Sequence, residues 1–440
     1  MICMYRKIED YIENYLKSDE QKVLCIKGAR QIGKSYIIRK KCKEYFKNYI
    51  EINFDSDKRN NKTYQDVRSP EEFYVQMSMS FGDLMGNRED TVVFIDEIQE
   101  YPQFRSLLKQ LREDNRFRYI VSGSLLGVEL NKEGLTPMGS VIEKQMFPMD
   151  FEEFLIANGV GEEAISYMRT CYEKRKSLTE GMHKTIMDYF FAYLYVGGLP
   201  DAVQTYVNEK NVMKIKDIQK DIYSYYCEDA TKYDDKNRLK IKKIYEMLPS
   251  NLENKVKRIQ YSKIENKKGD RAENYSGEFE YLLNSGIAID CKAISEPKFP
   301  LIQSSSKSMI KLYMNDVGLL TYLLYRNNVN AILQQRTGVN LGAVYETVVA
   351  QELYAHGYKN YYYDRKKIGE VDFLVDDFEK LNVLPIEVKS GKESFSFKAM
   401  TKLLAVEGYR MDQGIILSND ANVYEKDHIL YLPIYDVMFI

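Results

Sequence analysis

Hydrophobic and polar positions in the first third of the chain alternate between two spacings. Short apolar runs typical of strands occur at residues 23–26, 49–54, 91–95 and 117–121. Stretches with helical periodicity lie between them, at residues 34–46, 71–81 and 104–112. This β-α-β-α order predicts an α/β fold with a parallel sheet and helices on both faces.

The pattern becomes helical after Met146, where a short strand leads into a helix with Asp150 as its expected N-cap. Residues 151–232 are predicted to be helical throughout, apart from a break at Gly197-Gly198-Leu199-Pro200. We interpret this region as a helical lid that follows the parallel-sheet domain.

Two further patterns follow. Residues 237–324 contain short helices, a polar loop and two strand-like runs at 287–291 and 310–314, an order that suggests a winged helix. From residue 338 the pattern predicts a second, smaller α/β unit. Its helices are expected at residues 338–356 and 396–405, and its strands at 360–363, 371–375, 383–388 and 414–417.

Composition narrows the class of protein only slightly. The chain of 440 residues is long enough for several domains, and its net charge of −2 gives no general reason to bind nucleic acid. The six cysteines are scattered without a CxxC pair, which predicts buried thiols in a reducing compartment. No apolar run approaches the length of a membrane span, so we expect a cytoplasmic protein with no membrane association.

The strongest motif is GARQIGKS, which follows the first strand and opens the first predicted helix. Its glycines let backbone N–H groups point at phosphate oxygens, and the helix adds its positive end. The lysine would reach the β- and γ-phosphates, and the serine would ligate Mg²⁺. The predicted phosphate-binding residues are Gly28, Ala29, Arg30, Gln31, Ile32, Gly33, Lys34 and Ser35.

Acidic residues end the third predicted strand, as Asp96 and Glu97. Ligands of open α/β sheets bind at the carboxyl ends of strands, so these carboxylates are expected beside the loop. Asp96 would hold the metal through water, and Glu97 would orient and deprotonate the attacking water. The next strand ends in Ser122-Gly123-Ser124, where a hydroxyl could sense the γ-phosphate, although a simple turn remains an alternative.

The motifs GARQIGKS, VVFIDEIQEYP, IVSGSLLG, PMDFEEFL and VGGLP occur here in that order. Together they resemble the prokaryotic AAA-type ATPases that carry a C-terminal domain of unknown function, and KLYMNDVGLL is similar to the winged-helix end of that family. The resemblance implies ATP and Mg²⁺ as cofactors. It also implies Lys34, Ser35, Asp96 and Glu97 as nucleotide-site residues, with Ser122 as sensor.

The chain departs from this family at Met138-Gly139-Ser140, where many relatives carry an arginine after the glycine. If that arginine senses phosphate, hydrolysis in this chain is slow or depends on another group. ATP binding is therefore better supported than turnover.

A second set of candidate residues lies in the C-terminal unit. Glu346 is on a helix, Asp372 begins a strand, and Glu387 and Lys389 flank one residue of the next strand. Strand alternation places Glu387 and Lys389 on one face, where Asp372 and Glu387 could hold a divalent cation and Lys389 could stabilise phosphate charge. The arrangement resembles PD-(D/E)XK nucleases, although Glu-x-Lys is also a common solvated ion pair.

Basic residues are in local excess over residues 232–271, with thirteen Lys or Arg against six Asp or Glu. Such an excess suits contacts with the phosphates of DNA or RNA, but it equally suits a solvated charged face.

We therefore predict four domains: an AAA-type P-loop core (1–150), a helical lid (151–235), a winged-helix-like domain (236–325) and a restriction-endonuclease-like domain (326–440). The leading hypothesis is an ATPase whose nucleotide state controls a metal-dependent nuclease. The alternative is an ATP-switched scaffold with an inactive nuclease-like module, and self-association into a homo-oligomer stays open for both. A kinase is disfavoured because the Asp-Glu pair suits water activation.

Overall fold

The computed structural model describes residues 4–124, 139–233, 238–254, 257–265, 269, 271–326, 328, 341–391 and 398–440. Its contacts divide the chain into two compact units. The first, called here the N-terminal unit, comprises Tyr5–Phe147 and Asn284–Gly286. The second, the C-terminal unit, comprises Met1–Met4, Pro148–Leu283 and Ile287–Ile440.

The N-terminal unit is built on a five-stranded parallel sheet, as the sequence predicts. Its strands are β1 (Val23–Lys27), β2 (Asn48–Asn53), β3 (Thr91–Asp96), β4 (Arg118–Gly123) and β5 (Val141–Gln145). They lie in the order β2-β3-β4-β1-β5, and all paired neighbours are parallel. The carboxyl ends of all five strands therefore meet at one edge, which is where the candidate residues lie.

The helices of this unit are α1 (Ile8–Lys17), α2 (Lys34–Tyr45), α3 (Phe54–Asn60), α4 (Pro70–Phe81) and α5 (Phe104–Asp114). Ser69 caps α4 by accepting a hydrogen bond from the Glu72 N–H, with Pro70 in the first turn. Strand β2 ends at Asn53 rather than at the predicted Phe54, because the Asn53 side chain caps α3. Phe54 instead packs in the apolar core with Phe104, their ring centroids 4.5 Å apart.

The C-terminal unit begins with the predicted run of helices, which the structure confirms. They are α6 (Phe151–Ala157), α7 (Glu162–Glu173), α8 (Glu180–Val196), α9 (Pro200–Glu209) and α10 (Val212–Tyr233). Asp150 is the N-cap of α6 and forms a capping box with Glu153, as the sequence suggests. Later helices are α11 (Arg238–Glu253), α12 (Tyr261–Ile264), α13 (Ser276–Asn284), α14 (Val317–Tyr325), α15 (Gly342–Ala355) and α16 (Lys398–Leu404).

The predicted helix break at Gly197-Gly198 joins two distant segments. The Gly198 carbonyl accepts a hydrogen bond of 2.7 Å from the Met149 N–H, and the Gly198 N–H donates to Asp316 at 2.6 Å. Asp316 also caps α14 through the Leu319 N–H. This motif therefore has a structural role, because the close backbone approach leaves no room for a side chain.

Replacing Gly198 with alanine is expected to lower the free energy of unfolding of the C-terminal unit by about 1–3 kcal/mol. A Cβ atom at this position would overlap the backbone of Met149. The matched control is Gly181→Ala in the first turn of α8, where a Cβ meets no atom within 4 Å. Urea unfolding should show no loss, or a small gain, for that control. Equal stability of Gly198→Ala and wild type would contradict the steric argument.

Eight strands form a mixed sheet in the C-terminal unit. They are β6 (Ala288–Ile294), β7 (Ser305–Met314), β8 (Asn360–Arg365), β9 (Gly369–Asp377), β10 (Asn382–Val388), β11 (Gly414–Ser418), β12 (Tyr424–Lys426) and β13 (Ile429–Pro433). The order is β12-β13-β11-β10-β9-β8-β6-β7.

The two strands assigned to the winged-helix-like domain do form an antiparallel ribbon, β6–β7. However, β6 also pairs in parallel with β8, so the ribbon continues the sheet of the following region. The predicted boundary between residues 325 and 326 thus falls between strands of a single sheet. The separate winged-helix-like and nuclease-like domains stay predictions.

The order of elements after residue 341 agrees with the predicted pattern. Helix α15 precedes the antiparallel strands β8, β9 and β10, and helix α16 then leads to β11, which is parallel to β10. Asp372 lies inside β9 rather than at its start.

Two expectations from composition can be compared with the described residues. Five of the six cysteines fall among them, and all five are buried, unpaired thiols; Cys3 lies outside the described residues. Within the described part of the chain, no helix is both long and apolar enough to cross a membrane.

Candidate functional site

The GARQIGKS loop joins β1 to α2 and contains two backbone conformations that favour glycine. Gly28 has φ of +150°, and a Cβ there would overlap Ile32 and the Met146 carbonyl. Gly33, with φ of +92°, precedes the first turn of α2, so the loop ends at the N-terminus of that helix. The Arg6 guanidinium donates to the Ile32 carbonyl at 2.9 Å and supports the loop from outside. The geometry is that of a phosphate-binding loop.

Lys34 spans the loop from within. Its ammonium donates to the carbonyls of Gly28 at 2.9 Å and Ala29 at 2.8 Å, and only 5% of the residue is exposed. Burial lowers the pKa of Lys34, although the nearby carboxylates of Glu97 and Asp96 oppose that shift. The ammonium therefore lies within the loop, with loop carbonyls as its partners.

Asp96, at the end of β3, is the point on which four donors converge. Oδ2 accepts from the Ser35 hydroxyl at 2.8 Å and from the Asn53 amide at 3.1 Å. Oδ1 accepts from the Ser122 hydroxyl and from the Glu97 N–H. The carboxylate is 5% exposed and is held in one orientation beside the Ser35 hydroxyl. A serine hydroxyl and a fixed carboxylate are oxygen ligands that suit Mg²⁺.

Glu97 lies beside Asp96 and has a backbone φ of +54°, an uncommon value for glutamate. Its Oε2 accepts hydrogen bonds from the Gln99 amide and from the Ser124 hydroxyl, the latter at 3.1 Å. Ser124 in turn accepts from the Arg30 guanidinium at 3.2 Å. Burial would raise the pKa of Glu97, but the positive charges of Lys34 and Arg30 outweigh it and hold the pKa below its usual value. The side chain is therefore an ionised carboxylate held in a fixed orientation.

The structure brings the predicted residues of this site together and adds three that the sequence argument did not assign. Asn53 and Gln99 were not considered, and Ser124 was mentioned only as part of the strand end. Asn53 ends strand β2, which pairs residue by residue with β3, and this pairing places it opposite Asp96. Met138 lies outside the described residues, whereas Ser140 is buried and its carbonyl accepts from the Val23 N–H.

The second candidate set meets on the mixed sheet. Ile386 of β10 pairs with Phe373 of β9, which puts Glu387 opposite Asp372 on the same face. The Val388 N–H donates to Asp372 Oδ2 at 2.9 Å, and the Lys389 ammonium contacts Glu387 Oε1 at 2.6 Å. Asp372 and Glu387 are 9% and 8% exposed, so both carboxylates are buried, whereas the Lys389 side chain is partly exposed.

One carboxylate oxygen of this set is available to a cation. Glu387 Oε2 is buried, and no hydrogen-bond donor among the described residues reaches it. Burial and the charge of Asp372 raise the pKa of Glu387 to about 8. A divalent cation would supply the positive charge that this pair of carboxylates needs, and Mg²⁺ is commonly bound by one or two carboxylates plus phosphate oxygens.

Glu346 of α15 faces the same cluster. It pairs with the Lys257 ammonium and accepts a hydrogen bond of 3.2 Å from the Tyr313 hydroxyl. Burial and the charge of Asp372 raise the pKa of Glu346. Glu346 is thus near enough to Asp372 for the two charges to interact, and Tyr313 and Lys257 are partners that the sequence did not reveal.

A buried lysine completes the cluster. Lys311 of β7 is 1% exposed, and its ammonium lies 2.6 Å from Glu370 Oε1. Burial opposes its charge, but Glu346, Glu370 and Asp372 together raise the pKa of Lys311. Three ammonium groups and four carboxylates therefore meet around this face, a composition suited to a metal ion and a phosphate.

The basic excess of residues 232–271 is described only in part. Within the described portion Lys257 pairs with Glu346, Lys240 lies 3.5 Å from Glu265, and Lys242 lies 3.7 Å from Glu246. Some of the excess positive charge is thus compensated inside the chain. A nucleic-acid surface here stays a prediction.

The fold and loop of the N-terminal unit define a P-loop ATPase domain. Residues 20–155 match a family described as an AAA domain. Residues 187–330 and 341–437 match two families, each described as a domain of unknown function (DUF8612 and DUF4143). The expected AAA-type core is thus confirmed, whereas the nuclease-like nature of the C-terminal region is not.

Several solved structures are similar at low identity. A Walker-type ATPase of Pyrococcus abyssi is 13% identical with a TM-score of 0.45, over 73% of this chain and 96% of that one. The RuvB Holliday junction branch migration motor of Thermotoga maritima is 11% identical with a TM-score of 0.30, over 65% and 89%. The Hsp104–ADP complex of S. cerevisiae is 12% identical with a TM-score of 0.28, over 64% and 38%. No protein of curated function matches the chain.

Proposed function

We propose that this protein is a Mg²⁺-dependent ATPase whose nucleotide state controls metal-dependent cleavage of DNA or RNA by its C-terminal region. The observation that carries the ATPase is the convergence of Ser35, Asn53, Ser122 and the Glu97 N–H on the Asp96 carboxylate. This network fixes a metal-binding carboxylate beside a phosphate-binding loop.

The residues of the loop bind and orient the nucleotide. Lys34 exchanges its two loop carbonyls for the β- and γ-phosphates, and the N–H groups at the start of α2 hold the remaining phosphate oxygens. Ser35 would ligate Mg²⁺ and Asp96 would hold it through water, and the ion would neutralise the charge that develops on the phosphates.

Glu97 acts on water. With its pKa held low by Lys34 and Arg30 it is ionised at neutral pH, and Gln99 and Ser124 fix its orientation. It therefore accepts a hydrogen bond from the attacking water. It then takes the proton as the water oxygen bonds to the γ-phosphorus, while the bond from that phosphorus to the bridging oxygen breaks and ADP leaves. Arg30 donates a hydrogen bond to Ser124 and is well placed to balance negative charge on the phosphates. This chain has Ser140 at the position where many relatives carry an additional arginine.

The nuclease half rests on the set Asp372, Glu387 and Lys389 with Glu346. Two buried carboxylates face each other, and the unsatisfied Glu387 Oε2 supports a bound divalent cation, which would activate water and polarise the phosphate. Lys389 would then bind the phosphate oxygens. The order helix, three antiparallel strands, helix and parallel strand around these residues also supports a restriction-endonuclease-like arrangement.

Ser122 could act in either of two ways, by orienting the Asp96 carboxylate that would hold Mg²⁺ or by sensing the γ-phosphate directly, and one variant distinguishes them. Its hydroxyl is fully buried and donates to Asp96, so Ser122→Ala is expected to weaken the apparent Mg²⁺ affinity about 10-fold, roughly the cost of one hydrogen bond to a charged group. A titration of ATPase rate against Mg²⁺ measures this, with Ser106→Ala on α5 as control. A fall in kcat at saturating Mg²⁺ with unchanged Mg²⁺ affinity would instead indicate a direct sensor.

The experiment that tests the whole proposal measures two activities of the full chain. ATP hydrolysis is followed with Mg²⁺, and cleavage of DNA and of RNA is followed with Mg²⁺ or Mn²⁺, with and without ATP. Hydrolysis together with nucleotide-dependent cleavage is the expected result. Absence of cleavage under every condition would remove the nuclease half. A nucleotide-dependent change in oligomeric size without cleavage would favour the ATP-switched scaffold.

A further inference from the structure

A buried lysine of the Asp372 cluster has no role in the proposed cleavage reaction. Lys311 lies on β7, and its side chain is 2% exposed. The ammonium is 2.6 Å from Glu370 Oε1 and 4.5 Å from the centre of the Tyr362 ring, and Tyr362 is itself buried. Lys311 is therefore a positive charge held inside the protein, between a carboxylate and an aromatic face.

An ordinary structural ion pair does not account for this position. Moving an ammonium out of water is costly, and a single carboxylate offsets that cost poorly. Glu370 is a weak partner in this respect, because 36% of its side chain is exposed. Burial opposes the charge of Lys311, but Glu346, Glu370 and Asp372 together raise its pKa, so the ammonium stays charged. The charge of Lys311 is thus balanced by the carboxylate cluster as a whole.

The strand geometry places Lys311 next to the proposed metal ligands. Glu370 and Asp372 are two residues apart on β9, so their side chains lie on one face, about 6–7 Å apart along the strand. The Lys311 ammonium contacts the first of these carboxylates, and the proposed cation binds the second. Sites with two metal ions hold them about 3.5–4 Å apart, and carboxylates bind such ions. Glu370 is placed to serve a second ion, but Lys311 already occupies it.

The charges of the cluster lead to the same result. When all are ionised, its four carboxylates and three ammonium groups carry a net charge of −1. One divalent cation raises this by two, to +1, which balances the single negative charge of one phosphodiester. A second cation would leave an excess of positive charge among buried groups, where like charges repel most strongly.

We propose that Lys311 takes the place of a second metal ion, so that the Asp372 site holds a single divalent cation. Lys311 acts through Glu370 and through its charge, and is a positioning residue rather than a group that contacts the substrate. The inference rests on the proposed metal-dependent nuclease and specifies how many ions that reaction uses.

The number of ions is measured by Mn²⁺ binding to the full-length protein without nucleotide. Free Mn²⁺ is followed by electron paramagnetic resonance, and the same titration of Asp372→Asn counts the ions bound elsewhere in the chain. The difference between the two proteins should be one equivalent. A difference of two equivalents would overturn the inference and leave the proposed nuclease standing. No difference would remove the metal, and with it both the inference and the nuclease.

Neutral variants of Lys311 test its part directly. Lys311→Met removes the charge and keeps the length of the side chain, so a second equivalent of Mn²⁺ should bind. Lys311→Met combined with Glu370→Gln should bind one equivalent again, because the second ion loses its carboxylate. Lys311→Arg should also bind one, since it keeps the charge. The matched control is Lys292→Met, at a partly exposed lysine of β6 that pairs with Asp290 at 3.0 Å.

Folding is checked by the thermal midpoint without metal, and Lys311→Gln serves as a second neutral variant. A folded neutral variant that still binds one equivalent would contradict the inference. If neither neutral variant folded, Lys311 would be assigned to the stability of the sheet, and the inference would fail as well.

Discussion

Replacing Glu97 with glutamine should lower the rate of ATP hydrolysis about 1000-fold and leave ATP affinity nearly unchanged. The substitution removes the charge that accepts the proton, while the amide still accepts hydrogen bonds from Gln99 and Ser124. The nucleotide contacts of Lys34 and Ser35 are untouched. Single-turnover hydrolysis and equilibrium binding of a fluorescent ATP analogue measure the two quantities separately.

Two comparisons make this result specific. Lys34→Ala should lose ATP binding itself, because it removes the ammonium that lies inside the loop. Glu100→Gln, at a neighbouring glutamate that pairs with Lys58, should behave like wild type. If Glu97→Gln turned over ATP at the wild-type rate, the water-activating base would have to be another group. Loss of ATP binding in that variant would assign Glu97 to nucleotide contact instead.

Much of the N-terminal unit could be predicted from sequence because its signals are local. The glycines of GARQIGKS and the strand-loop-helix order depend on neighbours in the chain, and the Asp96-Glu97 pair ends an unmistakable buried strand. Gln99 was not predicted because its contact with Glu97 depends on a short turn, Ile98–Glu100, that follows a residue in the left-handed region. Strand order was also needed to place Asn53 against Asp96.

In the C-terminal unit, strand alternation predicted Glu387 and Lys389 on one face; the two side chains do contact each other, although β10 ends at Val388. Their partners could not be predicted, since both come from segments far away in sequence. Lys311 is on β7 of the mixed sheet, and Lys257 is on a loop that bonds to β7 through the Ile259 N–H and the Ile310 carbonyl. The same sheet explains why the winged-helix pattern gave an incomplete description. Helices and a β-ribbon look alike in sequence whether the ribbon stands alone or, as here, pairs with β8.

Replacing Asp372 with asparagine should abolish metal-dependent cleavage of nucleic acid, with a loss of at least about 1000-fold, because the neutral amide removes one of the two negative charges that would hold the cation. The asparagine oxygen can still accept from the Val388 N–H, so the strand pairing is expected to persist. Glu387→Gln should have the same effect, since it removes the charge at the unsatisfied Oε2. Rates are measured on labelled DNA and RNA with Mg²⁺ and with Mn²⁺.

The matched control for both variants is Asp364→Asn, which changes an exposed carboxylate on the adjacent strand β8. It should cleave like wild type, and all three variants should hydrolyse ATP normally. Cleavage that persists in Asp372→Asn and Glu387→Gln would come from another site or another protein in the preparation. A loss of ATP hydrolysis along with cleavage would instead mean that these carboxylates support the fold, because the ATPase residues lie in the other unit.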